Sequence, residues 1–157
     1  MELFTEQVIA TILAVVGAAF AFIVPGIGSS KAVGAAGQAG AGVLTEDPTK
    51  FVPVMILEAL PSTQAIYGFV ISFLIVGNII AGEGLTFGSG LVLFLAGLPV
   101  GIVGYVSALW QGRVAISGIN LVAKQAGSMI QGVILSLMVE MFAILSLIVS
   151  IQIIGKA

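Results

Sequence analysis

Four long apolar stretches, separated by three short polar breaks, organise this chain. The first runs from about Val8 to Gly42 and the second from Phe51 to Ile80. The third starts near Phe87 and continues past Trp110 toward Val122, and the fourth covers about Ser128 to Ile154. Each exceeds the ~20 residues that cross a bilayer as a helix. In hydrocarbon every backbone N–H and C=O must be satisfied within the segment, so runs of this length predict helices. The breaks carry turn and polar residues: Val43 to Lys50 with Asp47-Pro48, Ala81 to Thr86, and Ala123 to Gly127. The pattern predicts an all-α membrane protein with four transmembrane helices in two tandem hairpins, residues 1–80 and 81–157.

Composition agrees. Hydrophobic residues make up 59% of the chain and charged residues 8%, whereas a soluble domain carries about 25% charged residues. Lipid is therefore the solvent of the outer face. Net charge is −2, so there is no basic face for nucleic acid. The chain has neither Cys nor His, and acid–base chemistry falls to its carboxylates. The N-terminus carries Glu2 and Glu6 but no basic n-region, so the first stretch reads as a retained span despite Ala19-Phe20-Ala21. Lys31, Lys50, Arg113 and Lys124 lie toward the first and third breaks, while Glu2, Glu6 and Glu83 lie at the other end, with Lys156 the one dissent. The positive-inside rule then puts loops 43–50 and 123–127 in the cytoplasm and both termini outside.

The halves look duplicated. Lys31 and Arg113, like Glu58 and Glu140, stand 82 positions apart (113 − 31 and 140 − 58). This predicts a parallel repeat of a two-helix unit with a carboxylate in each even span. The tract Gly26 to Gly42 is rich in small residues, and Gly97, Gly101, Gly104, Gly112 and Gly118 mark the third span. A phosphate loop would need a GKS/T ending after a strand. Small residues three and four apart instead let helices pack closely in lipid. Spans one and three are predicted to form an inner layer, and spans two and four an outer one.

Candidate chemistry centres on Glu140 and Glu58. An acid inside a membrane span costs ~2.5–3.5 kcal/mol on insertion scales and marks a functional site. Span two adds Leu60-Pro61-Ser62-Thr63-Gln64 and Tyr67, and span three adds Gln111. Pro61 has no N–H, which loosens the turn and deprives the Leu57 carbonyl of its partner. Thr63, Gln64 and Tyr67 share one helix face. Carboxylate, hydroxyl, amide and carbonyl oxygens together suit a small alkali cation. A proton site would need only the carboxylate and an apolar pocket. Structural roles stay open: a kink at Pro61, a back-bond from Thr63, interhelical bonding by the two glutamines.

The segments Gly26-Ile-Gly28-Ser, Leu60-Pro-Ser-Thr-Gln64-Ala-Ile-Tyr67-Gly-Phe and Gln111-Gly-Arg113-Val-Ala, with Glu140, resemble the duplicated proteolipid of V-type ATPases, their K-type rotor subunit. The resemblance covers essentially the whole chain and is nearer the bacterial sodium-translocating members. It implies a plasma-membrane rotor ring of identical chains, non-catalytic, beside a stator subunit that carries an arginine and above a central-stalk subunit. It implies Na⁺ at Glu140, Thr63, Gln64, Gln111 and the Leu60 carbonyl, with Tyr67 bonding the glutamate and Pro61 shaping the turn. No organic cofactor is implied. H⁺ at Glu140, and at Glu58 as well, is the alternative cargo. At the 82-residue offset Glu58 has Leu145, Ser146 and Ser29 where Glu140 has Thr63, Gln64 and Gln111. Glu58 is therefore expected to sit outside the sodium site, as a protonated second carrier or as a structural group taking a bond from Ser62. A small proton-coupled exporter and a purely structural proteolipid are the readings from other classes. The first would need an aromatic-lined cavity, and the second no Thr-Gln-Tyr group.

Overall fold

The structure is a computed structural model. It describes residues 2–81, 84–125 and 127–157, with the side chains of 2–4 and 81 left aside. Glu83, Ala126 and the Glu2 side chain, on which the charge and loop assignments partly rest, lie outside the described residues.

Helix α1 spans Glu2–Glu46. A 3₁₀ turn, Pro48–Lys50, leads into α2, Phe51–Ala59. A second 3₁₀ turn, Leu60–Ser62, separates α2 from α3, Thr63–Ala81. Helices α4, Phe87–Lys124, and α5, Met129–Ile154, complete the chain. Counting α2–α3 as one interrupted rod, four helices among the described residues are long and apolar enough to cross a membrane.

The helix ends have local causes. The Asp47 side chain accepts from the Thr49 N–H at 3.1 Å and the Thr49 hydroxyl at 2.6 Å. These two bonds hold the Asp47 carboxyl below its ordinary range. Thr86 caps α4 in a reciprocal box with Ser89. Gly84 and Gly127, at φ of 122° and 88°, turn the chain where a side chain would be strained.

The helices run alternately up and down. Lys50 Nζ donates to the Ala123 carbonyl at 2.6 Å, tying the first break to the third at one end of the bundle. At the other end the Phe87 N–H donates to Glu6 Oε1 at 3.1 Å.

Glycine sets the core. Helices α1 and α4 lie side by side and nearly in backbone contact. A Cβ on Gly90 would stand 2.6 Å from Ala10 Cα, one on Gly17 2.6 Å from Phe94 Cα, and one on Gly112 2.6 Å from Ala32 Cβ. No real Cβ tolerates such spacing, and the inner layer closes only because these positions have none. Larger side chains sit on α2, α3 and α5. Leu57 is fully buried over the crossing of Gly118 and Gly132.

The facing pairs fix the register of the repeat. Gly40 packs on Val54 in the first hairpin, and Gly118 packs on Gly132 in the second. Both partners advance by 78 positions (118 − 40 and 132 − 54), not 82. The two serines that bond across to the even spans, Ser29 and Ser107, are also 78 apart (107 − 29), although their partners, the Ala65 N–H at 3.2 Å and the Val139 carbonyl at 3.1 Å, are not equivalent. Matching by charge thus places the repeat four residues, about one helical turn, out of register. The counterpart of Glu140 is Ser62, and that of Glu58 is Ser136.

Gly97→Leu is expected to lower the stability of the folded chain by about 1–3 kcal/mol or more, because its Cβ meets the Gly17 backbone. Gly77→Leu, with nothing within 4 Å of its Cβ, should be close to neutral. Thermal unfolding in detergent compares the two; equal effects would contradict the packing described.

Candidate functional site

The polar side chains of the outer helices meet at mid-span, between α3, α4 and α5. Pro61 is buried, and the 3₁₀ turn around it re-aims the first residues of α3. The Leu60 carbonyl accepts both the Thr63 N–H and, at 3.1 Å, the Thr63 hydroxyl. The next bond loosened by the proline is the Ala65 N–H, which turns to Ser29 Oγ on α1. The Leu60 carbonyl and the Ala65 N–H thereby find partners inside the bundle.

Gln64 is fully buried and enters through the gap left by Gly104, whose Cβ would lie 3.0 Å from Pro25 and 3.9 Å from Gln64. Gln64 Nε2 donates to Ser107 Oγ at 3.2 Å and to Gln111 Oε1. Gln111 Nε2 donates to Glu140 Oε2 at 3.3 Å. The Tyr67 hydroxyl donates to Glu140 Oε1. Each carboxylate oxygen therefore accepts a bond, and Glu140 is only 5% exposed. Thr63 Oγ1 lies 3.5 Å from Gln64 Oε1 and 3.1 Å from the Leu60 oxygen.

All the residues singled out from the sequence beside Glu140 converge here: Leu60, Pro61, Thr63, Gln64, Tyr67 and Gln111. Glu58 does not. It lies six residues before Gln64, about 9 Å along the helix axis. Its Oε1 rests on α1, where a Cβ on Gly37 would stand 2.6 Å away. Ser62 does not bond it, because the Ser62 hydroxyl donates to the Ala59 carbonyl at 2.6 Å. A serine in an apolar helix finds its own i−3 carbonyl closer than a flexible side chain four residues back.

Three serines at the site carry no sequence signal as strong as a charge. Ser107 lies one turn from Gln111 on the same face, and its repeat partner Ser29 holds the α3 break. Ser136 lies one turn before Glu140, is fully buried, and its Oγ finds no partner among the described residues. A search for hydroxyls at i±4 from the mid-span amide and acid would have found Ser107 and Ser136.

The chemistry available is that of one carboxylate among neutral oxygens. Among the described residues no group of three His, Cys, Asp or Glu side chains gathers to hold a metal. A single negative charge in a nearly dry pocket is neutralised by one monovalent cation.

Four apolar helices in two repeated hairpins, around a mid-span carboxylate, define a membrane rotor proteolipid of the rotary ATPases, a component without catalytic role. The chain belongs to the C-subunit family of ATP synthases, which it matches twice, over residues 16–75 and 94–153. The two matches begin 78 residues apart (94 − 16), the register given by the helix contacts. It is 41% identical to the V-type sodium ATPase subunit K of Enterococcus hirae, over 93% of this chain and 92% of that one. It is 36% identical to the A-type ATP synthase subunit K of Methanocaldococcus jannaschii, over 89% of this chain and 60% of that one.

Ser29→Ala is expected to leave the Ala65 N–H without an acceptor inside the bundle, at a cost of about 1–3 kcal/mol. Hydrogen exchange at Ala65 should rise with it. Unchanged stability and protection would mean that the proline break is satisfied elsewhere.

Proposed function

We propose that this chain is the ion-carrying subunit of a V-type rotor ring and that its cargo is Na⁺. The cation is held by Glu140, the Thr63 hydroxyl, the Gln64 and Gln111 amide oxygens and the Leu60 carbonyl. The observation that carries this reading is the buried Glu140 carboxylate, to which the Tyr67 hydroxyl and the Gln111 amide N–H donate, with the Thr63 hydroxyl, the Gln64 amide oxygen and the Leu60 carbonyl gathered at the start of α3. A proton would need no such shell. The sodium specificity of the Enterococcus hirae relative supports the same cargo.

Electrostatics then couples occupancy to rotation. With Na⁺ bound the site is neutral, and a chain can turn through lipid. Without it the carboxylate is charged, and the cost of exposing a charge at membrane depth keeps the empty site beside an aqueous path or a stator arginine. Tyr67 donates to the carboxylate and orients it for loading. Residues 1–80 and 81–157 serve as two hairpins of one rotor stave. Loops 43–50 and 123–127 face the cytoplasm and both termini face outward, as the distribution of Lys and Arg directs. A central-stalk subunit meets the ring on the loop side.

Equilibrium binding of radioactive Na⁺ to purified rings tests this. One ion per chain is expected for the natural sequence. Glu140→Gln should abolish binding, and Gln111→Leu should weaken it by about 10–100-fold through lost orientation and a lost ligand. Glu58→Gln should leave it nearly intact. Equal loss in the Glu58 and Glu140 variants would refute the assignment of a single site.

A further inference from the structure

Ser136 is fully buried on α5, and its Oγ alone among the buried side-chain nitrogens and oxygens of the described residues has no hydrogen-bond partner. Leaving such a group unpaired costs about 1–3 kcal/mol. The other serines buried in the spans, Ser29, Ser107, Ser146 and Ser150, are all bonded.

Its place fixes what the hydroxyl can reach. Gly132, Ser136 and Glu140 stand one turn apart on one face of α5, and Gly118, Ala115 and Gln111 follow one another on the facing side of α4. Gly118 meets Gly132 and Gln111 bonds Glu140, so Ser136 lies opposite Ala115, whose side chain offers no polar atom. Ser136 therefore bonds no neighbouring helix, and it does not bond back to its own helix as Ser146 does. The polar side chain one turn away on its own face is Glu140.

The order of that pair matters. Long side chains on a helix lean toward its N-terminus, over the residue one turn earlier. Glu140 thus leans over Ser136. At the equivalent positions of the first hairpin the order is reversed, Glu58 before Ser62, and that acid leans away from its serine. The Ser62 hydroxyl accordingly bonds the Ala59 carbonyl instead.

Cation loading frees one carboxylate oxygen for the hydroxyl. Gln111 Nε2 donates to Glu140 Oε2 at 3.3 Å, and Gln111 Oε1 accepts from Gln64. A cation shared by the Gln111 amide oxygen and Glu140 needs the amide turned, because an N–H pointed at the same place repels it. That rotation takes the N–H off Oε2. A carboxylate that ligates a metal keeps its orientation through hydrogen bonds from outside the ligand shell, and Tyr67 supplies one to Oε1 only.

We propose that Ser136 is a positioning residue of the ion site, its hydroxyl donating to Glu140 Oε2 once the cation has turned the Gln111 amide. This rests on the sodium reading and deepens it by naming a residue outside the ligand shell. The bond exists only with the ion in place, so it favours loading and not the fold.

Na⁺ binding and thermal unfolding of purified rings test this in Ser136→Ala, with Ser146→Ala for comparison. Ser136→Ala is expected to weaken Na⁺ binding about 10-fold, as loss of an orienting group does at metal sites. It should not lower the unfolding temperature in Na⁺-free buffer, because no bond is lost there. Ser146→Ala, which removes a hydroxyl bonded to its own helix, should leave Na⁺ affinity unchanged. Unaltered affinity in Ser136→Ala, or equal weakening in both variants, would overturn the positioning role. So would a lower unfolding temperature of Ser136→Ala without Na⁺, which would make the serine a structural group. Rings of the natural sequence that bind no Na⁺ would instead overturn the sodium reading, and this inference with it.

Discussion

The constraint on which this structure depends is the presence of a carboxylate at membrane depth. Glu140 is only 5% exposed, and the side chains that bond it answer that problem. Tyr67 and Gln111 donate to its two oxygens. Gln64 donates to Gln111 and to Ser107, and Ser107 is anchored on the Val139 carbonyl next to the acid. A half-satisfied network at this depth would be worse than an apolar core. The proline break is part of the same solution. It brings Thr63, Gln64 and Tyr67 to one face while Ser29 takes up the backbone N–H that the break leaves over.

The glycine seams are the second requirement. Polar side chains from three helices can reach one another only if the backbones are close, and lipid offers no hydrophobic drive to press helices together. Removing the Cβ at Gly17, Gly90, Gly97, Gly104 and Gly112 lets α1 and α4 approach until dispersion does the work.

Much of this was legible in the sequence. The spans followed from hydropathy because lipid enforces helices, and the Leu60-Pro61-Ser62 break followed from the missing N–H. The meeting of Gln64, Gln111 and Glu140 side chains followed from their lying at polar-poor depth. The register of the repeat did not follow. Matching Lys31 to Arg113 and Glu58 to Glu140 gave weight to charges, whereas the pairs that pack are glycines such as Gly40 and Gly118. Arg113 stacks on Trp110, and Glu58 sits on Gly37, so neither belongs to the frame that the duplication kept. Ser107 and Ser136 carry only the weak signal of standing one turn from Gln111 and Glu140, and Ser29 carries none, because a hydroxyl in an apolar helix ordinarily bonds its own backbone, as Ser62, Ser117 and Ser146 do here. Only the crossing of helices tells the two kinds of serine apart.

The measurement that bears most directly on the central claim is carbodiimide labelling of purified rings, with and without Na⁺, mapped by mass spectrometry. The reagent attacks protonated, buried carboxyls. Protection of Glu140 by Na⁺, with Glu58 reacting alike in both conditions, is the predicted result, because the cation and the reagent compete for one oxygen pair. Labelling of Glu140 that Na⁺ leaves unchanged would contradict the account, and would make this ring a proton carrier in which Thr63, Gln64 and Gln111 serve only to bond helix to helix.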